Sequence, residues 1–145
     1  MLKRTLAAAA LCLIGAVSIA SAQDYGHDRE AAMKKIGGSI GALSAIAKGE
    51  KPYDAEAVKT AITTVSETIK VFPTYFPAGS ETASEEASPK IWEDKAGFEA
   101  AAAKLAADAD MLLAQLPADQ AAVGAALGTL GKDCGACHQT FRLKK

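Results

Sequence analysis

Apolar residues recur along this chain at helical spacing, in segments separated by glycines and prolines. The pattern is plainest toward the C-terminus. Phe98, Ala102, Leu105, Ala109, Leu112 and Leu116 advance by alternating steps of four and three, and Val123, Leu127, Leu130, Cys134, Cys137 and Phe141 repeat those steps. Such steps keep one face of a 3.6-residue helix apolar, the stripe of a left-handed helical bundle. Val58, Ile62, Val65, Ile69 and Phe72 form a further stripe. No segment alternates with the period of two that a half-buried strand needs.

Breakers set the boundaries. A first helix is expected from about Asp24 to Lys48, stopping at Gly49-Glu50-Lys51-Pro52. A second opens near Asp54 as a cap and runs to about Phe72, before Pro73. A third spans about Trp92 to Leu116, and Pro117 with Asp119 opens a fourth that runs to the end. The connection from Phe76 to Pro89 sets Glu81, Glu85 and Glu86 among small residues. It reads as a solvated loop, with a docking surface as the other reading. The fold class is therefore all-α: an antiparallel four-helix bundle with one long connection.

Charge and the N-terminus add a compartment. Lys3 and Arg4 precede an uncharged apolar stretch from Leu6 to Ala20, and Ala20-Ser21-Ala22 offers a small-x-small cleavage site before Gln23. That is the layout of a secretory signal peptide, so residues 1–22 are expected to be removed and residues 23–145 to form one domain. The stretch is short for a membrane span, an uncleaved anchor being the other reading. Cys12 leaves with the leader, and Leu11 before it argues against lipoprotein processing. The formal charge of −1 includes Lys3 and Arg4 but no leader carboxylate, so the mature domain carries −3. No basic run of the nucleic-acid-binding kind occurs. The tail residues Arg142, Lys144 and Lys145 suit a helix C-terminus. Helices one and two carry extra apolar residues that leave monomer and homodimer both open.

The candidate chemistry lies in Cys134-Gly135-Ala136-Cys137-His138. C-x-x-C-H is the attachment signature of a c-type haem. Each thiol can add across a vinyl group, and the imidazole of His138 can take an axial position on the iron. On a helix, Cys134 and His138 share a face. A redox C-x-x-C normally accompanies a βαβ pattern, which is missing here. A zinc site wants four ligands, and beyond the motif the mature chain adds only the distant His27. Both cysteines fall on the apolar stripe, so one thioether-linked haem c belongs inside the bundle. Export fits, because c-type haems are joined to the chain outside the bacterial cytoplasmic membrane.

Function then turns on the sixth iron position. An iron held by His alone is open to small gases, whereas His with Met suits electron transfer. The mature chain has two methionines, Met33 and Met111. Met111 sits beside the stripe of the third helix and reads as a flank residue. Met33 lies in the first helix and is followed by Gly37, Gly38 and Gly41. Each glycine costs a helix about 1 kcal/mol relative to alanine. Such a run suits close approach of a flat group such as a haem face, or tight helix packing with Met33 in the core; the residues alone leave both open. His27, at the fraying start of that helix, reads as a surface residue.

Over Asp28 to Lys145 the chain resembles the class II c-type cytochromes, the cytochrome c-prime family and its low-spin relatives. The resemblance is carried by Arg29-Glu30-Ala31-Ala32-Met33-Lys34-Lys35-Ile36-Gly37-Gly38, by Ile46 to Glu50 and by Pro52-Tyr53-Asp54. Phe76 to Ser80, Pro89 to Trp92, and the motif with Phe141-Arg142 near the C-terminus carry the rest. It implies a periplasmic four-helix bundle with haem c on Cys134 and Cys137 and His138 as proximal ligand. It places Met33 at the distal position, as sixth ligand in low-spin members and as a crowding group in five-coordinate ones; the context is more similar to the low-spin branch. It sets Arg142 beside the proximal histidine. It puts Arg29 where a haem propionate can be met, a surface ion pair with Glu30 or Asp28 being the other reading. The implied function is one-electron transfer between periplasmic redox proteins, not enzymatic, and without a stable membrane anchor. The alternative is a five-coordinate protein that binds nitric oxide or carbon monoxide. No distal His or Arg set for peroxide cleavage is present.

Overall fold

The structure is a computed structural model that describes residues 24–144; the expected leader, residues 1–22, lies outside the described residues. The elements are α1 (Tyr25–Ala47), α2 (Ala55–Val71), a 3-10 turn (Phe72–Tyr75), α3 (Lys90–Glu93), α4 (Lys95–Ala114) and α5 (Gln120–Phe141). The four long helices close into a ring, α1 on α2, α2 on α4, α4 on α5 and α5 on α1. Among the described residues there is no strand, and no helix is long and apolar enough to cross a membrane.

Each long helix starts on an aspartate. Asp24, Asp54, Asp94 and Asp119 accept hydrogen bonds from the backbone N–H of His27, Ala57, Gly97 and Ala122, at 3.0, 2.8, 3.0 and 2.8 Å. Each cap satisfies an otherwise orphaned donor, worth about 1 kcal/mol.

The apolar stripes meet in the middle. Leu43, Val58, Ile62, Val65, Ala109, Val123 and Leu130 are fully enclosed. Every aliphatic side chain of the larger kind contributes about 1.5–3 kcal/mol by leaving water. Phe72, Phe76, Phe98 and Phe141 form an edge-on aromatic cluster at one end, with centroids 4.9–5.4 Å apart for the pairs Phe72–Phe76, Phe76–Phe98 and Phe98–Phe141.

Two expectations are corrected. The third helix does not run unbroken from Trp92 to Leu116. Asp94, at φ −128° and ψ 61°, ends α3 and caps α4, and α4 itself stops at Ala114. The periodicity carried no sign of this break, because Ile91 and Phe98 are both buried on either side of it. Nor is the Phe76–Pro89 segment simply a solvated connection. Phe76 and Ser80 are buried, and Trp92 donates its indole N–H to the Pro77 carbonyl at 3.0 Å.

At one end of the bundle α1 and α5 touch. Gln120 donates to the Ala47 carbonyl at 3.2 Å, and a Cβ on Gly124 would just reach the Ala47 side chain. Toward the other end the two helices line opposite parts of a cleft.

Candidate functional site

The cleft has a volume of about 980 Å³ and lies among α1, α2, α4, α5 and the Ala83–Ala87 segment. That is near the upper end of the roughly 300–1,000 Å³ typical of cofactor pockets. A smaller surface groove of about 450 Å³ beside Pro73, Pro77 and Trp92 holds none of the motif residues. Ile36, Ile69, Phe72, Phe98, Leu105 and Phe141 give the larger cleft its apolar walls. The six residues put forward from the sequence all line it: Cys134, Cys137 and His138 from α5, Arg29 and Met33 from α1, and Arg142 just past α5.

Helical spacing accounts for the α5 group. Cys134, Cys137 and His138 fall on successive turns of one face. Both cysteines are half-buried and unbridged. Burial pushes both thiols up from their ordinary pKa, helped at Cys134 by Asp133 and at Cys137 by Cys134. Redox-active C-x-x-C motifs lower a thiol pKa instead. The His138 imidazole is held below its usual pKa, first by partial enclosure in the cleft and then by the Arg142 cation, with Glu86 opposing. That favours neutral imidazole, the form that can donate a lone pair to a metal.

The glycines after Met33 resolve one open point. A Cβ on Gly37, Gly38 or Gly41 would meet nothing within 4 Å, so these residues do not serve tight packing among the four helices. Gly37 lines the cleft, with open space around the position of an added Cβ. Met33 is half-buried on the same wall. Met111 is 62% exposed, as a flank residue should be. His27 is exposed at the cleft rim.

Arg29 is not in a surface ion pair. It is only 4% exposed, and Glu30 pairs with Lys34 at 2.7 Å instead. Its guanidinium donates to the Tyr75 carbonyl at 3.0 Å, to Ser84 Oγ at 3.0 Å, and to the carbonyl and Oγ of Ser80 at 3.0 and 2.7 Å. It also stacks 4.1 Å above the Phe76 ring. Burial lowers its pKa, the Glu81 carboxylate partly offsets that, and the group stays cationic. Arg142 pairs with Glu86 at 2.8 Å. The ties of Ser80 and Ser84 to Arg29 and of Glu86 to Arg142 were not legible in the sequence, since the partners lie about fifty residues away. The buried Asp108, paired with Lys104 near Asp133, was missed because it flanks the apolar stripe beside Ala109, where a polar residue is ordinarily solvated.

An antiparallel bundle whose last helix brings a C-x-x-C-H motif into an apolar, cofactor-sized cleft defines a class II c-type cytochrome. The family model described as "Cytochrome C'" matches residues 24–142. A cytochrome c-556 of Agrobacterium tumefaciens (strain II Chrys) is 67% identical over 117 residues, covering 81% of this chain and 95% of that one. The structure of cytochrome c′ from Rhodopseudomonas palustris aligns with TM-score 0.78 at 36% identity, covering 84% of this chain and 98% of that one. An NMR-validated model of oxidized cytochrome c556 from R. palustris aligns with TM-score 0.74 at 37% identity, covering 85% and 98%. The chain belongs to the cytochrome c′ family, whose members are haem-carrying electron-transfer proteins. It carries one haem c, attached covalently through cysteines.

Proposed function

We propose that the protein is a periplasmic one-electron carrier with His138 and Met33 as axial ligands of a low-spin haem anchored on Cys134 and Cys137. One observation carries this reading: Met33 from α1 and His138 from α5 line the same apolar cleft. The name cytochrome c-556 on a relative 67% identical agrees with it.

When bound, the haem supplies an iron that cycles between its ferrous and ferric states. The chain's residues set the terms of that cycle. Thioether bonds at Cys134 and Cys137 would fix the macrocycle to α5 and keep the group from dissociating. The neutral imidazole of His138 would donate to the iron, and the soft thioether sulfur of Met33 would favour the reduced state. The apolar walls from Ile36 to Phe141 exclude water and so limit the reorganisation that each electron transfer requires. Redox donor and acceptor proteins would dock weakly at the cleft rim over small areas.

The optical spectrum of the holoprotein, with and without carbon monoxide, tests the ligation. The expected parent spectrum is low-spin, with the weak far-red sulfur-to-iron band and little response to carbon monoxide. Met33→Ala should abolish that band, turn the haem high-spin and admit carbon monoxide. An unchanged spectrum in Met33→Ala would remove Met33 as a ligand. A second reading is an open iron that binds nitric oxide or carbon monoxide with Met33 as a steric gate. It is favoured by the cytochrome c′ structure from R. palustris, which at 36% identity is as similar to this chain as the cytochrome c556 structure from the same organism, at 37%. A high-spin parent that binds carbon monoxide readily would establish it.

A further inference from the structure

The two helices that carry Met33 and His138 touch at the α1 C-terminus and the α5 N-terminus, far from both residues. Where the ligands lie, the cleft separates them, and one segment spans the gap: residues 80–88. It is tied to both sides.

On the α1 side, Arg29 holds Ser80 and Ser84 by three hydrogen bonds of 2.7–3.0 Å. Gly26, in the first turn of α1, lies so close that any Cβ there would run into the Ala83 carbonyl oxygen. On the α5 side, Ala87 and Arg142 form an isolated antiparallel bridge. Its backbone bonds run from Ser88 N–H to the Phe141 carbonyl at 3.1 Å and from Leu143 N–H to the Glu86 carbonyl at 2.9 Å. Arg142 adds the ion pair to Glu86 at 2.8 Å.

Arg29 precedes Met33 by four residues, one helical turn, and Arg142 follows His138 by four. Both anchors therefore sit one turn from the residues they would control. We propose that residues 80–88 act as a strap that sets the spacing of α1 and α5 and thereby holds the Met33 sulfur on the iron opposite His138. Gly26, Arg29 and Glu86 are its positioning residues. The strap rests on the His/Met reading above.

Two variants separate the anchors. Gly26→Val forces the strap off α1 by steric contact, and Glu86→Ala removes the side-chain tie to α5. The holoproteins are compared with the parent by far-ultraviolet circular dichroism, far-red absorbance, carbon monoxide combination rate and hydrogen exchange over residues 76–89. At unchanged helix content, Gly26→Val should lose at least half the far-red band, and both variants should combine with carbon monoxide at least tenfold faster. Exchange in the strap should rise in both. Arg29→Lys keeps the charge but not the fork of donors, and should fall between parent and Gly26→Val; it replaces Gly26→Val if that variant fails to fold. Faster strap exchange with the parent's far-red band and carbon monoxide rate would overturn the strap while leaving the ligation intact. A parent without the far-red band would overturn the ligation itself, and the strap's role with it.

Discussion

Two aspartates on different faces of the bundle, Asp133 beside Lys104 and Asp110 beside Lys70, have opposite effects on acid stability. Burial above all, and then the neighbouring Asp108, raise the pKa of Asp133, with Lys104 pulling the other way. One oxygen of Asp133 is buried without a hydrogen-bond partner. A carboxyl raised in the folded state binds its proton more tightly there than in the unfolded chain. Its effect on stability is thus absent below the unfolded value of about 3.9 and increasingly unfavourable as pH rises through the folded value. Asp110 has the reverse sign. Hydrogen bonds from Lys70 and then Ser66 lower its pKa, so it supports the fold above about 3.9 and loses that support as pH falls through the folded value. From about pH 3 to 7, Asp133→Asn should therefore gain stability relative to the parent and Asp110→Asn should lose it. Urea unfolding of the holoproteins across that range measures both; parallel curves would dismiss the assignment. At the same scale, Phe98 joins Phe72, Phe76 and Phe141 at the cleft wall. Phe98→Ala should cost about 3–5 kcal/mol in the same assay.

Among the elements, the aspartate caps are the clearest local code. Asp54 and Asp119 could be read as helix starts because a proline lies two residues before each. Asp94 could not, since Ile91 and Phe98 on either side of it, seven residues apart, continue a helical pattern. Asp94→Ala should cost about 1 kcal/mol and raise hydrogen exchange in the first turn of α4, with α2 unaffected. Equal exchange in α4 of variant and parent would mean that Pro89 and the Lys95 contacts alone hold that junction. Lys95 itself donates to the Pro73 and Phe76 carbonyls at 3.1 Å each. The Phe76–Pro89 connection was legible only as polar and glutamate-rich. Its real role depends on bonds to Arg29 and Phe141, and no local pattern announces partners so far along the chain.

At the scale of the whole molecule, the periplasmic reading makes a direct prediction. Protein recovered from the periplasm of an expressing bacterium should have the mass of residues 23–145 plus one haem. A mass that retains residues 1–22 would point to an anchored protein. What the sequence by itself determined is set by short-range chemistry: helices from the three-and-four spacing, starts from aspartate caps, and haem attachment from five consecutive residues. Met33 could be singled out, but its partner wall could not. Only the tertiary structure decided that Met33, His138 and both cysteines share one cleft, that Arg29 is buried under hydrogen bonds to Ser80 and Ser84, and that Gly37 lines the same cleft. Those facts depend on packing across the bundle, with α1 and α5 in contact at Ala47 and Gln120 and both lining the cleft, and on bonds between residues some fifty positions apart.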